Sequence, residues 1–292
     1  MIEVASLFLH PVKGLAAHEV DRMEFTSHGP KWDREWMLVD PDGVFVTQRD
    51  DAQLARIVPE VDEANGVLRL ADRFEPSTKG LEVSLSRGEG DTPGAGRSRR
   101  DVRVWFDTQP AIDEGEAAAN WLTARLGRRL RLVRIAPEHA RPVPAQFSSR
   151  PATTRFTDAF PLLVVSEGSL DALNAKLSEP VEMRRFRPNI VLRGAAAHAE
   201  DDWRRIRLVA RSGDGVTLHF GKSCSRCQVT TIDPETAQIA RGGEPLRTLA
   251  TYRTLERTNP DGNVERAVFF GANYIHEGAG EIERGAAVEV LG

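Results

Sequence analysis

Lys222 to Ala237 reads KSCSRCQVTTIDPETA and contains the only two cysteines of the chain, Cys224 and Cys227. Two thiols three residues apart are compatible with four kinds of chemistry. They can be half of a structural zinc site, but such sites take four ligands, and the seven histidines are scattered without a close partner ligand. They can be a thioredoxin-like redox pair, but that motif opens a helix, whereas QVTTIDP is β-branched and runs into a proline. They can be two small core residues. Finally, with Ser225 and Arg226 between them they make a polar, electropositive turn. A guanidinium beside a thiol favours the thiolate, and a single thiolate suits a soft-liganded metal whose other ligands come from a cofactor.

The segments around this turn read mainly as strands. IEVASLFLH, HEVDRMEFT, GVLRLAD and LEVSLS mix β-branched, aromatic and alternating apolar residues. REWMLVD and VFVTQRD, joined across Pro41-Asp42-Gly43, predict a hairpin. Ser86 to Arg100 lacks periodicity and reads as a surface loop whose closing basic residues are a candidate binding arm. DVRVWFD and RLRLVRIAP predict strands, with a helix over Asp113 to Arg128 between them, acidic at its front and basic at its back. Arg141 to Asp158 is expected to be a long loop joining two halves. PLLVV predicts a strand leading into a helix capped by Ser166. FRPNIVLRG, RRIRLVA, GVTLHFG, CQVTTID and AAVEVLG predict further strands. The expected fold is therefore mainly β, a β-rich α+β chain with two or three helices and no series of βαβ units. The expected domains are residues 1–135, including the helix near 113–128, and residues 136–292.

Composition narrows the function. The 292 residues are 40% hydrophobic, enough for a substantial core in one or two domains. A net charge of −4 argues against broad nucleic-acid binding and leaves room for a local basic pocket that takes a small anion. Two cysteines build no disulfide framework. The first residues form no signal peptide, and no apolar run reaches 18 residues. A soluble cytoplasmic protein without a membrane span is expected.

Five ordered motifs carry a resemblance. CSRCQVTTIDPETA, preceded by FRPNIVLRG (Phe186 to Gly194) and AEDDW (Ala199 to Trp203), is similar to the signature of the MOSC-domain family. HPVKG (His10 to Gly14) and DREWMLVD (Asp33 to Asp40) resemble the N-terminal β-barrel domain that accompanies it, and FFGAN (Phe269 to Asn273) extends the likeness toward the C-terminus. The resemblance is strongest to the mitochondrial amidoxime-reducing component and its bacterial relatives. It implies an N-terminal MOSC β-barrel-like domain followed by a MOSC β-barrel domain with a few helices. It also implies the molybdenum cofactor (Mo-molybdopterin), with Cys227 as the catalytic, metal-binding thiolate and Cys224 as its neighbour. Pyridoxal phosphate binding is a further association of the family.

By the same resemblance Lys13, Arg34 and Arg187 contact the anionic cofactor, and guanidinium forks suit phosphate oxygens. Gly14 stands where relatives carry a serine. Asn189 offers a donor and an acceptor to a pterin edge. Asp158 matches an acidic pterin-side position, and Ala159 follows where relatives can carry a hydroxyl. Ser225, Arg226 and Asn273 complete the pocket. Trp32, Trp36 and Phe270 are expected in the core or pocket walls, and His10 and His276 carry no assigned role. Asp233-Pro234 is expected to shape a turn. The implied activity is reduction of small N-hydroxylated compounds (amidoximes, hydroxylamines, N-hydroxy bases) by N–O bond cleavage. The electrons are expected from a separate ferredoxin- or cytochrome-like protein with its reductase, because two cysteines cannot ligate an iron–sulfur cluster and no G-x-G-x-x-G follows a strand. The alternative is a molybdenum cofactor or sulfur carrier without turnover of its own, and a third class is a non-catalytic β-barrel binding module.

Overall fold

Ile2–Leu9, IEVASLFL, begins the chain as a strand whose inward residues Val4, Leu7 and Leu9 enter the largest hydrophobic core. The computed structural model describes residues 1–86, 98–148, 151–213, 215–258 and 262–292. Ile2–Leu9 pairs on one side with Ile190–Arg193 and on the other with Ala287–Val290. From Ala287–Val290 the sheet continues through Arg205–Val209, Gly215–Ser225 and Val264–Glu277 to Leu162–Ser166. Leu162–Ser166 pairs in parallel with Ile190–Arg193, which closes a seven-stranded barrel. Leu7, Val164, Ile190, Leu208, Leu218 and Tyr274 fill its interior. Burying each aliphatic side chain of this size contributes about 1.5–3 kcal/mol. The barrel thus takes its first strand from the start of the chain, and Gly280–Glu283 returns to pair with Arg22–Thr26. A cut at 135/136 divides the sequence, while these sheets run across it.

The intervening residues build a second unit of two sheets. A six-stranded sheet runs Ser98–Val104, Asp107–Asp113, Arg131–Ile135, Trp36–Val39 and Val12–Lys13, with Phe45–Val46 paired beside Trp36–Val39. A three-stranded sheet of Ile57–Asp62, Val67–Asp72 and Leu81–Ser84 faces it. Trp36, Leu38, Leu68, Leu70 and Leu132 meet between them, together with Leu122 of the helix Glu116–Leu126. Trp36–Val39 is buried on both faces, because Met37 and Val39 enter a separate cluster with Val102, Val133 and Phe156. An uninterrupted apolar WMLV fits that position.

Several expected elements shift. HEVDRMEFT splits into His18–Val20 and Arg22–Thr26, which pair with different partners. DVRVWFD ends its strand at Val104 and turns at Trp105 and Phe106 into Asp107–Asp113, so Asp113 closes a strand, and the helix begins at Glu116 after Gly115. The Ser86 to Arg100 loop lies largely outside the described residues. Of its closing basic residues, Arg99 and Arg100 stand on the strand Ser98–Val104, where Arg99 pairs with Glu138 and Arg100 with Asp113. CQVTTID is not a strand: Gln228–Thr231 is a turn of 3₁₀ helix. The Thr230 hydroxyl donates to Cys227 O at 3.0 Å and Thr231 to Gln228 O at 2.7 Å, and these local bonds replace a ladder. The helix Leu246–Arg253 and the strands Thr254–Thr258 and Val264–Glu277 are additions to the sequence reading. The Ser166 cap stands, with its Oγ accepting from Ser169 N at 3.1 Å. Among the described residues no helix is long and apolar enough to cross a membrane.

Candidate functional site

Lys13, Gly14, Arg34, Asp158, Ala159, Arg187, Asn189, Ser225, Arg226, Cys227 and Asn273 all line one cleft of about 360 Å³ between the two units. The six-stranded sheet and the loops beside it supply Lys13, Gly14 and Arg34. The barrel supplies Asn273 from its longest strand and Ser225 from the end of Gly215–Ser225, where Arg226 and Cys227 leave the sheet. Gly14 takes φ +86°, and a Cβ there would stand 3.1 Å from Thr47 Cα and 3.3 Å from Val46 O. The positive φ favours glycine, and a side chain there would require Thr47 to give by a few tenths of an ångström.

The floor is cationic and its groups are coupled. Lys13 is buried, donates to Asp158 Oδ1 at 2.5 Å and faces the Phe45 ring at 5.7 Å. Burial pushes the Lys13 ammonium down from its ordinary pKa, while Asp158 opposes that. Asp158 sits at the mouth with its side chain 58% exposed. Lys13 and then Arg49 hold its carboxyl well below the usual carboxylate range. Arg34 and Arg187 both adopt left-handed backbone, with φ of 48° and 56°, a conformation that surrounding contacts must enforce. Arg34 N–H donates to His10 O at 2.9 Å, and its guanidinium bonds Asp33 and, at 3.1 Å, Asn189 Oδ1. Arg187 donates to Leu15 O at 2.7 Å. Burial, then the neighbouring Arg34, pushes Arg187 down to about 9, so it remains a cation at neutral pH.

His10 and Asn189 hold this floor from below. His10 is fully buried; its Nε2–H donates to Pro188 O at 3.1 Å, and its Nδ1 has no hydrogen-bond partner among the described residues. Burial, reinforced by Arg34 and Arg187, depresses its pKa well below 6.5, so it is neutral. Asn189 was expected to present its amide to a pterin edge. Instead Oδ1 accepts from Leu163 N at 3.1 Å as well as from Arg34, and Nδ2 donates to Phe8 O at 3.2 Å. Its amide therefore ties Arg34 to the barrel.

The two thiols are free and have different neighbours. Arg226 donates to Cys224 Sγ at 2.9 Å and to Phe186 O at 2.7 Å, so its guanidinium sits on Cys224. Cys224 also packs against the cluster of Phe186, Phe270 and Leu163. Cys227 opens the 3₁₀ turn in extended conformation, its carbonyl accepting from Thr230 N at 3.1 Å. Its cationic neighbour is Arg49, which the sequence reading passed over. Burial works against the Arg49 charge, but Asp158 and then Cys227 raise its pKa. Thr47, Gln48, Arg49, Phe147, Phe160 and Lys222 also line the cleft without a sequence signal that singled them out. Trp36 and Phe270 are core, and His276 bonds Thr26 O at 2.6 Å away from the cleft. Asp233 Oδ1 accepts from Glu235 N and Thr236 N, which is the expected Asx turn.

Among the described residues no group of three or more His, Cys, Asp or Glu side chains is placed to hold a metal ion. A metal on Cys227 would need its other ligands from an organic cofactor. A thiol in the lining, a cationic floor and an open cleft fit such a group.

Family models match the chain twice: the MOSC N-terminal beta barrel domain over residues 1–129 and the MOSC domain over residues 151–289. The chain belongs to the MOSC family. Among MOSC relatives, mitochondrial amidoxime-reducing component 1 of Homo sapiens is 34% identical over 99% of this chain and 83% of its own length. The Mus musculus protein of the same name is 33% identical over 99% of this chain and 82% of its own length. Molybdenum cofactor sulfurase of Oryza sativa subsp. japonica is 27% identical over 99% of this chain, which spans 35% of that larger protein.

Proposed function

We propose that this MOSC protein binds the molybdenum cofactor through Cys227 and reduces small N-hydroxylated compounds. The observation that carries the reading is the Cys227 thiol in a cleft floored by Lys13, Arg34 and Arg187, in a chain one-third identical to amidoxime-reducing components over nearly its whole length. When bound, the cofactor supplies a two-electron redox centre. The net reaction takes two electrons and two protons and converts N–OH to N–H and water.

The protein's part is binding and electrostatics. Cys227 would supply the single protein thiolate. Lys13, Arg34 and Arg187 would hold the anionic end of the cofactor, and their mutual repulsion in a buried floor favours a bound anion. Arg226 donates to Cys224, whereas the cationic neighbour of Cys227 is Arg49. Ala159, Phe160 and Phe147 give the opening an apolar wall that limits water. The electrons would come from a separate carrier protein, since two cysteines supply too few thiolates for an iron–sulfur cluster.

The test is to produce the protein in a host that makes the molybdenum cofactor, then measure molybdenum and pterin per chain and reduction of an amidoxime with a reduced dye. Near-stoichiometric metal with turnover supports the reading. Absence of both contradicts it. The similarity to molybdenum cofactor sulfurase supports the second reading, a carrier of cofactor or sulfur. That reading expects sulfane sulfur on a cysteine and no turnover.

A further inference from the structure

The hairpin of Ser98–Val104 and Asp107–Asp113 turns beside the mouth of the cleft. At its tip Trp105 adopts φ 57°, an unfavourable backbone for a bulky residue. The indole reaches two cleft groups. Its Nε1–H donates to Asp158 Oδ1 at 3.3 Å, and its ring lies 4.8 Å from Arg49 Cζ. Phe45 packs on the same indole at 4.9 Å. From the other side, Arg141 ties Asp107 Oδ2, at 3.0 Å, to Thr157 O, at 2.7 Å. The tip is thereby braced against the segment that carries Asp158.

Arg49 needs such a brace. Its guanidinium meets Asp158 at 3.6 Å and has Cys227 as its other polar neighbour, and neither contact is a bidentate fork. Its backbone is anchored, with Arg49 O accepting from Gln228 Nε2 at 3.2 Å in the turn that begins at Cys227. The long side chain stays 29% exposed and would sample solvent without the ring above it.

We propose that Trp105 is a positioning residue whose ring holds the Arg49 guanidinium beside Cys227. A cation fixed there suits an oxygen that gains negative charge as the N–O bond breaks, so its effect falls on kcat more than on KM. That consequence rests on the proposed reductase function, whereas the placement of Arg49 does not.

Two measurements keep the ideas apart. The first is the side-chain Nε–H resonance of Arg49 in isotope-labelled, cofactor-free protein, assigned by its loss in Arg49→Lys. In the wild type the indole face should shift it upfield. Trp105→Ala should return it to the free-arginine position, and Trp105→Phe should retain most of the shift. An unshifted wild-type resonance, or one unchanged by Trp105→Ala, overturns the proposal. The second is amidoxime reduction by cofactor-loaded protein. Trp105→Ala should lower kcat about tenfold with KM within about twofold, and Trp105→Phe should recover most of the loss. An equal loss in Trp105→Phe would assign the effect to the indole N–H on Asp158 and overturn the ring's role. A large fall in melting temperature for Trp105→Ala would make the residue structural, with the same result. A wild type that reduces nothing contradicts the functional reading, and the Arg49 resonance still decides the placement.

Discussion

One wall of the cleft consists of charges from both parts of the chain that hold one another, whereas the wall of the long barrel strands consists of groups held by the sheet. On the first wall, Lys13 and Arg49 meet on Asp158, and Arg34 is bound by Asp33 and Asn189. On the second, Cys224, Ser225 and Asn273 stand on barrel strands, and Cys227 follows where one strand ends. The contrast teaches where each proposed function would reside. A network of charges can bind an anion but loses its geometry when one member goes, while a thiol at the end of a rigid strand keeps its place. The contrast also runs inside the barrel wall. Both thiols line the cleft, but Cys224 is bonded by Arg226 and packed against Phe186 and Phe270, whereas Cys227, three residues on, has Arg49 as its cationic neighbour.

The largest expected effect separates those sulfurs. Cys227→Ser should abolish amidoxime reduction, because a hydroxyl is a poor substitute for a thiolate at a redox metal, while Cys224→Ser keeps substantial activity. Equal losses with normal folding would erase the distinction. Next in size is the electron supply: purified, cofactor-loaded protein should show no turnover with NADH or NADPH alone and full turnover once a carrier protein with its reductase, or a reduced dye, is added. Turnover with the nucleotide alone would contradict a partner requirement.

Arg187→Ala probes the charged wall. It should weaken cofactor retention by about 2–5 kcal/mol, the cost typical of breaking a buried charge-assisted contact. The stability loss should be smaller, about 1–3 kcal/mol, because Leu15 O loses its donor. Metal content and urea melts measured on the same preparation compare the two. Full occupancy with a large stability loss would make Arg187 a structural residue.

The smallest effect concerns pH. His10 is held neutral with its pKa well below 6.5, mainly by burial and then by Arg34 and Arg187. The unfolded chain therefore binds more protons below that pH, so stability is full above about 6.5 and declines as pH falls toward the folded-state value. His10→Gln keeps a donor for Pro188 O and should flatten part of that slope in urea melts across the acidic range. The lowered pKa values of His198, His18 and His276 act in the same direction and preserve part of the slope. An unchanged slope would remove His10 from the account.

Much of the barrel was legible because IEVASLFL, LLVVS and RIRLV are half- or fully buried strands with a period to match. The strand Val264–Glu277 was not, because Gly271 at φ 75° breaks its alternation, and its register against Gly215–Ser225 shifts twice. The Cys227 turn misled for a local reason, since the same threonines that favour strands bond back to the preceding carbonyls. Eleven cleft residues were legible by family likeness. Arg49 was not, because VTQRDD carries no motif and its neighbours Trp105, Asp158 and Cys227 are brought to it only by the fold.

X-ray absorption at the molybdenum edge tests the central claim most directly, applied to cofactor-loaded wild type and both cysteine variants. The account predicts that Cys227→Ser loses one sulfur scatterer from the metal while Cys224→Ser retains the wild-type set. An unchanged sulfur count in Cys227→Ser, or a loss in Cys224→Ser alone, would contradict it.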